Sequence, residues 1–184
     1  MVKEPRAGQV KTRLGRDIGM TSAAWWFRHQ TSGLIRELGT DPRWQLRLSV
    51  SPAPAAMISR AWPSEIPRDA QVSGDLGARM RHILRATPRG PVVLIGSDIP
   101  GITAKIIRDA FDTLARNDCV FGPAEDGGFW LVGMRRLRPL PVGLFKDVRW
   151  SCADTLKDTL ATLGGASVGF AATLRDVDTV GDLP

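Results

Sequence analysis

The sequence predicts one α/β domain spanning residues 1–184, a three-layer α/β/α arrangement built on a mostly parallel sheet. Three observations carry this. Strand-like and helix-like segments alternate along the chain, which is the pattern of parallel strands joined by crossover helices. Pro91 to Ile95 is a short continuous apolar run, as expected of a strand covered on both faces. The chain has 184 residues, 43% of them hydrophobic, enough for one sizeable core and short for two.

The elements follow in order. Ser22 to Leu38 reads as the first long helix, with Trp26, Leu34, Ile35 and Leu38 for its buried side and Gly39 as its stop. Gln45 to Val50 alternates polar and apolar residues, like a half-buried strand. The Pro-rich stretch from Ser51 to Pro67 reads as a surface excursion. Asp75 can cap a helix over Leu76–Ala86, where Met80, Ile83 and Leu84 share a face. Pro91 to Ile95 is the next strand. Thr103 can cap a helix in which Ile106, Ile107, Ala110, Phe111 and Leu114 recur at helical spacing before Asn117. Cys119–Phe121 and Phe129–Val132 read as strands. Ser151 with Asp154 resembles a capping box, ahead of a helix whose inner stripe is Leu156, Leu160 and Leu163 and whose stop is Gly164-Gly165.

Composition narrows the function classes. No apolar run approaches the roughly 18 residues of a membrane span, and Met1 to Arg6 has no signal-peptide character, so a cytoplasmic location and no membrane partner are expected. Cys119 and Cys152 are far apart and read as buried thiols rather than a disulfide framework. The net charge is +6, which favours anionic partners. Arginine is nevertheless spread along the chain without a nucleic-acid-binding motif, so a small phosphate compound is expected and nucleic acid is not. His29 and His82 are the only histidines, each inside a predicted helix. They leave little material for a Ser-His-Asp system or a His-rich zinc site.

Four places carry possible chemistry. Lys3, Arg6, Lys11 and Arg13 surround Gly8 just before helical sequence, the composition of a phosphate cradle, although a solvated basic terminus fits the same residues. It is not a Walker A loop, which needs an earlier glycine. Asp98, in Gly96-Ser97-Asp98-Ile99-Pro100, emerges after a buried strand, where it can hold Mg²⁺ or simply cap a turn. Gly122 to Gly128 lies between two strands; its glycines permit close approach to a ligand, while Asp126-Gly127 also suits a plain hairpin turn. In Asp176-Val177-Asp178, one carboxylate is expected to face a site and the other to face away.

These motifs, taken in order, resemble the bacterial glycosyltransferase-A-like family sometimes associated with arsenosugar biosynthesis. They are more distantly similar to the guanylyltransferases for 2-phospho-lactate and molybdenum cofactor. The resemblance rests on Lys3-x-Pro5-Arg6-x-Gly8-x-Val10-Lys11-Thr12-Arg13-Leu14, Gly74-Asp75-Leu76-Gly77-x-Arg79-Met80, Gly96-Ser97-Asp98, Gly122 to Gly128 and Asp176-Val177-Asp178-Thr179. It implies the nucleotide-diphospho-sugar-transferase (glycosyltransferase-A) fold. It also implies catalytic roles for Lys11, Arg13 and Asp98, and Mg²⁺ or Mn²⁺ on Asp98 and Asp178. Nucleotide contacts would come from Lys3, Pro5, Arg6, Gly8, Lys11 and Arg13, from Gly74, Asp75, Leu76 and Gly77, and from Asp126, Gly127 and Gly128.

The chain departs from the pattern at both ends. Relatives carry an apolar strand before Lys3, which here is reduced to Met1 and Val2, so the first strand is expected to be truncated and the true start to lie upstream. After Thr179, Val180-Gly181 stands where relatives have Pro-Glu. The expected partners are a nucleotide and a small-molecule acceptor. Nucleotidyl transfer from a triphosphate is the leading expectation, since the basic loop is dense and Asp98 is single rather than Asp-x-Asp. Glycosyl transfer from a nucleotide sugar is the rival, and nucleotide binding without turnover the third reading.

Overall fold

The computed structural model describes residues 1–183. They form two compact units that interleave along the sequence. The first comprises Met1–Gln71, Gly96–Ala104 and the C-terminal residues from Arg175. Its elements are β1 (Val2–Lys3), α1 (Thr12–Ile18), α2 (Met20–Gly39), β2 (Leu48–Ser51), α3 (Ala55–Ile58), β3 (Arg68–Ala70) and a 3₁₀ turn at Val180–Asp182.

The three strands run parallel in the order β1-β2-β3, with Val2 opposite Val50 and Val50 opposite Ala70. β1 has only two residues, yet Val2 joins Val10, Phe27, Ile35, Leu48, Val50 and Trp62 in the larger apolar cluster of this unit. Leu14, Ala23 and Val177 form a second cluster, with Trp26 packed against it. α2 therefore buries Ala23, Ala24, Phe27, Thr31, Leu34, Ile35 and Leu38, while the expected Trp26 is only partly buried.

Two expectations change here. The strand predicted from Gln45 begins at Leu48, because the Trp44 indole N–H donates to Leu38 O at 2.8 Å and holds that segment to the end of α2. The stretch from Ser51 to Pro67 is more than a surface excursion, since Ala55, Ala56 and Trp62 are buried in the core. Proline spacing hid this short helix.

The second unit comprises Val72–Ile95 and Lys105–Leu174. It holds α4 (Leu76–Ala86), β4 (Val92–Ile95), all of α5 (Ala104–Arg116) but its first residue, β5 (Cys119–Pro123), β6 (Phe129–Met134), α6 (Thr155–Ala161) and β7 (Val168–Phe170). The strand order is β4-β6-β5-β7; β6 is antiparallel to β4 and β5, and β7 is parallel to β5. Three of the five strand pairings, β1/β2, β2/β3 and β5/β7, are thus parallel. The apolar stripes of α4 and α5 place Met80, Leu84, Ile107, Ala110 and Leu114 in the interior.

Further corrections fall in this unit. β4 was expected to be covered on both faces, but only Leu94 is fully buried, as befits the end strand of its sheet. Ser151 does not cap a helix: it sits at φ 58°, α6 begins at Thr155 after Asp154, and neither residue makes a side-chain cap. The buried stripe is Thr155, Thr159 and Leu163, whereas Leu156 and Leu160 are half-buried. Each threonine hydroxyl reaches a backbone carbonyl, Thr159 to Thr155 at 2.7 Å and Thr155 to Cys152 at 2.8 Å, which makes burial of the polar residue affordable. Cys119 is buried, but Cys152 is half-exposed and both are free thiols.

Candidate functional site

Three segments of the first unit converge on the Lys11 side chain. Its ammonium lies 2.6 Å from Asp98 Oδ2, 3.0 Å from Asp178 Oδ1 and 4.0 Å from Asp176 Oδ2. Arg13 donates to the other oxygen of Asp178 at 2.9 Å. The Lys11 side chain is only 7% exposed, whereas those of Asp98 and Asp178 are 32% and 40% exposed. The site is therefore a cation enclosed by carboxylates that still open to solvent. Burial alone would make the ammonium easier to deprotonate, but Asp98 and then Asp178 outweigh it, so the Lys11 pKa lies above its ordinary value.

Local structure aims these groups. Lys11 precedes α1 in a left-handed conformation, φ 45° and ψ 48°, which costs a residue with a Cβ about 1 to 2 kcal/mol. Asp98 is bracketed from α2: Thr31 Oγ1 donates to Ser97 O at 3.4 Å and Gln30 Nε2 to Ile99 O at 3.2 Å. The segment carrying Asp176 and Asp178 turns on Asp182, whose carboxylate accepts the N–H groups of Asp178 and Thr179 at 3.1 and 2.7 Å and the Thr179 hydroxyl at 2.8 Å. Arg175 pairs with the same carboxylate. Thr179 first, then the Asp178 N–H and Arg175, hold the Asp182 pKa at about 2.

The expectation that only one of Asp176 and Asp178 faces the site is corrected. Residues i and i+2 share a face of extended chain, so both approach Lys11 while Val177 points into the core at 1% exposure. Asp182, Thr31 and Gln30 were missed. Thr179-x-x-Asp182 is a capping-box pattern that sequence could have revealed; the two α2 residues carry no such signal.

The other predicted residues fall in different settings. Arg6 pairs with Glu4 at 2.7 Å, Gly8 takes φ 74°, and Lys3 is exposed at the end of β1. Pro5 sits between Glu4 and Arg6 in the turn closed by the Arg6 N–H to Glu4 O bond of 2.9 Å. Gly74 to Gly77 and Asp126 to Gly128 lie in the second unit. There Asp75 caps α4 by accepting the Ala78 N–H at 2.7 Å, Leu76 is exposed, and Gly77 is buried where a Cβ would meet Phe145 and Trp150 at 2.8 Å. Asp126 Oδ1 accepts the Gly128 N–H at 2.8 Å within the β5–β6 hairpin, and Gly127 takes φ 85°. Both histidines are exposed, with His29 edge-on to Trp25 at 4.0 Å.

Hard cations take oxygen ligands, and Mg²⁺ commonly uses one or two carboxylates with substrate phosphates and water completing its shell. Asp98 and Asp178 fit that donor set, because their oxygens already converge on one positive centre, the Lys11 ammonium. Among the described residues no group of three or more His, Cys, Asp or Glu side chains is placed to hold a metal by itself. The residues present fit a metal shared with a phosphate ligand rather than an all-protein cage.

The fold is of the nucleotide-diphospho-sugar-transferase, glycosyltransferase-A-like type. Among solved structures, a protein of Desulfovibrio desulfuricans G20 described as a "putative nucleotide-diphospho-sugar transferase" is 32% identical, with a TM-score of 0.84 over 97% of this chain and 80% of that one. Residues 34–152 match the family described as "Uncharacterized protein conserved in bacteria (DUF2064)", and the chain belongs to that family. No curated protein matches the chain. Among the described residues, no helix is long and apolar enough to cross a membrane.

Proposed function

We propose that this chain is a metal-dependent transferase that binds the diphosphate of a nucleotide sugar at the Lys11–Asp98–Asp178 cluster and passes the sugar to a small-molecule acceptor. The carrying observation is one buried cation ringed by partly open carboxylates, next to a second, exposed cation at Arg13. Similarity to the Desulfovibrio protein supports a nucleotide-sugar donor.

Charge bookkeeping favours a diphosphate over a triphosphate. Of the four cations in the loop, Arg6 is paired with Glu4, and Lys11 and Arg13 with aspartates. The loop therefore offers less surplus charge than its sequence suggests. Nucleotidyl transfer stays as the second reading, because Lys3, Arg6, Lys11 and Arg13 together could meet a longer phosphate chain. The more distant likeness to guanylyltransferases points the same way.

In the favoured reading Asp98 and Asp178 would hold Mg²⁺ or Mn²⁺, which supplies charge stabilisation for a departing nucleoside diphosphate. Lys11 and Arg13 donate to phosphate oxygens, and the ties from Thr31, Gln30 and Asp182 fix the carboxylates in place beforehand. A thermal-shift screen of nucleotide sugars and nucleoside triphosphates with Mn²⁺ tests the reading, since a ligand bound only by the folded state raises the melting temperature. Nucleotide-sugar stabilisation followed by nucleoside diphosphate release in an acceptor panel is expected. Pyrophosphate release from a triphosphate would establish the second reading, and binding without any turnover would make the chain a nucleotide-binding protein.

A further inference from the structure

We propose that Lys11 is a resident counter-cation of the carboxylate site, which a metal–diphosphate chelate exchanges as a unit, so that the site discriminates against free metal ion and free diphosphate alike. This rests on the reading of Asp98 and Asp178 as metal ligands and of Lys11 and Arg13 as phosphate donors.

The geometry carries the argument in three steps. First, an ammonium has three N–H donors and no acceptor; here Asp98 and Asp178 lie within hydrogen-bond distance and Asp176 stands 4.0 Å off. A bare metal ion would have to displace a cation that is only 7% exposed and held by those carboxylates. Second, a bare diphosphate finds Lys11 and Arg13 already held by aspartates. Third, a chelate brings both replacements together: a cation for the carboxylates and oxygens for Lys11 and Arg13. The lysine's four-carbon stem can swing between the two partners while its backbone stays in place. Arg13, 71% exposed, can leave Asp178 at little desolvation cost.

The test uses the full chain, with MnCl₂ and GDP, UDP or ADP as probes. Calorimetry should show each component binding about tenfold tighter in the presence of the other, within the usual range of coupling between sites. Metal–phosphate contact alone also produces such coupling, so the deciding readouts concern Lys11. Lys11→Met should tighten Mn²⁺ binding in the absence of nucleotide by about tenfold, whereas Arg16→Met, which removes an exposed charge from α1, should not. In the unmodified protein, reductive methylation read by mass spectrometry should find Lys11 protected without ligand and reactive at saturating Mn²⁺ alone. It should be protected again with Mn²⁺ and nucleotide together.

The methylation measurement decides the matter even if Lys11→Met does not fold. Lys11 staying protected at saturating Mn²⁺, or Mn²⁺ affinity unchanged or equally raised in both variants, overturns the exchange while leaving the nucleotide reading standing. No binding of metal and nucleotide in any combination overturns both.

Discussion

Gly127→Ala is the sharpest test of how the β5–β6 hairpin is held. Gly127 takes φ 85°, and a Cβ there would lie 2.5 Å from Ala153 Cα and 2.6 Å from its carbonyl carbon. These are backbone atoms that cannot rotate away. The left-handed conformation costs alanine about 1 to 2 kcal/mol, and overpacking against a fixed backbone adds about 1 to 3 kcal/mol. Gly127 O also accepts the Leu156 N–H at 3.0 Å, so any shift disturbs the first turn of α6. A loss of about 3 kcal/mol should lower the melting temperature by roughly 6 to 12 °C for a chain of this size. Gly8→Ala is the matched comparison, with φ 74° and nothing within 4 Å of the added methyl; it should cost about 1 kcal/mol, the conformational share alone. Urea denaturation of both variants, followed by tryptophan fluorescence, measures the difference. Equal losses would refute the packing argument and leave only backbone conformation.

Asp98→Asn and Asp178→Asn should each abolish metal-dependent nucleotide binding by calorimetry with circular dichroism unchanged, because a neutral amide keeps the shape and loses the charge a hard cation needs. Acid stability should fall in a defined window. Asp182 and Asp158 have folded pKa values of about 2, against 3.8 unperturbed, so their contribution is complete above about pH 4 and is lost as pH drops towards 2. Asp182→Asn should flatten that part of the melting-temperature profile; an unchanged profile would separate Asp182 from the stability of its segment. Iodoacetamide should label Cys152 well before Cys119, whose thiol is pushed up to about 11 by burial and then by Asp118. Equal labelling rates would show that Cys119 is reachable.

Much of the fold could be read locally. The helix over Leu76–Ala86 begins at its predicted cap because Asp75 needs only the amide three residues on. The helix from Ala104 follows from a strong apolar period. β3 and β7 were missed, being three residues each and defined by their neighbours: Arg68, Asp69 and Ala70 pair with Leu48, Ser49 and Val50. No three-residue stretch declares that partner. At the site, the loop cations and the aspartates at 176 and 178 stood out by residue type, and Asp98 also by its position after a strand. That the cations and carboxylates hold one another could not be read, because Lys11 and Asp178 lie 167 residues apart.

The sequence by itself thus determined the α/β class and the Asp75 cap of α4 and singled out the candidate residues for chemistry, since periodicity, capping and residue type act over a few positions. Tertiary structure alone decided which charges meet. Lys11 reads in the chain as a phosphate-binding cation of a basic loop, and in the fold it is 7% exposed and enclosed by Asp98 and Asp178. Asp182 reads as one acid near the end of the chain, and in the fold it takes three hydrogen bonds from Asp178 and Thr179. The reason is electrostatic. The strength of a charge pair depends on separation and on exclusion of water, and both are properties of the folded chain.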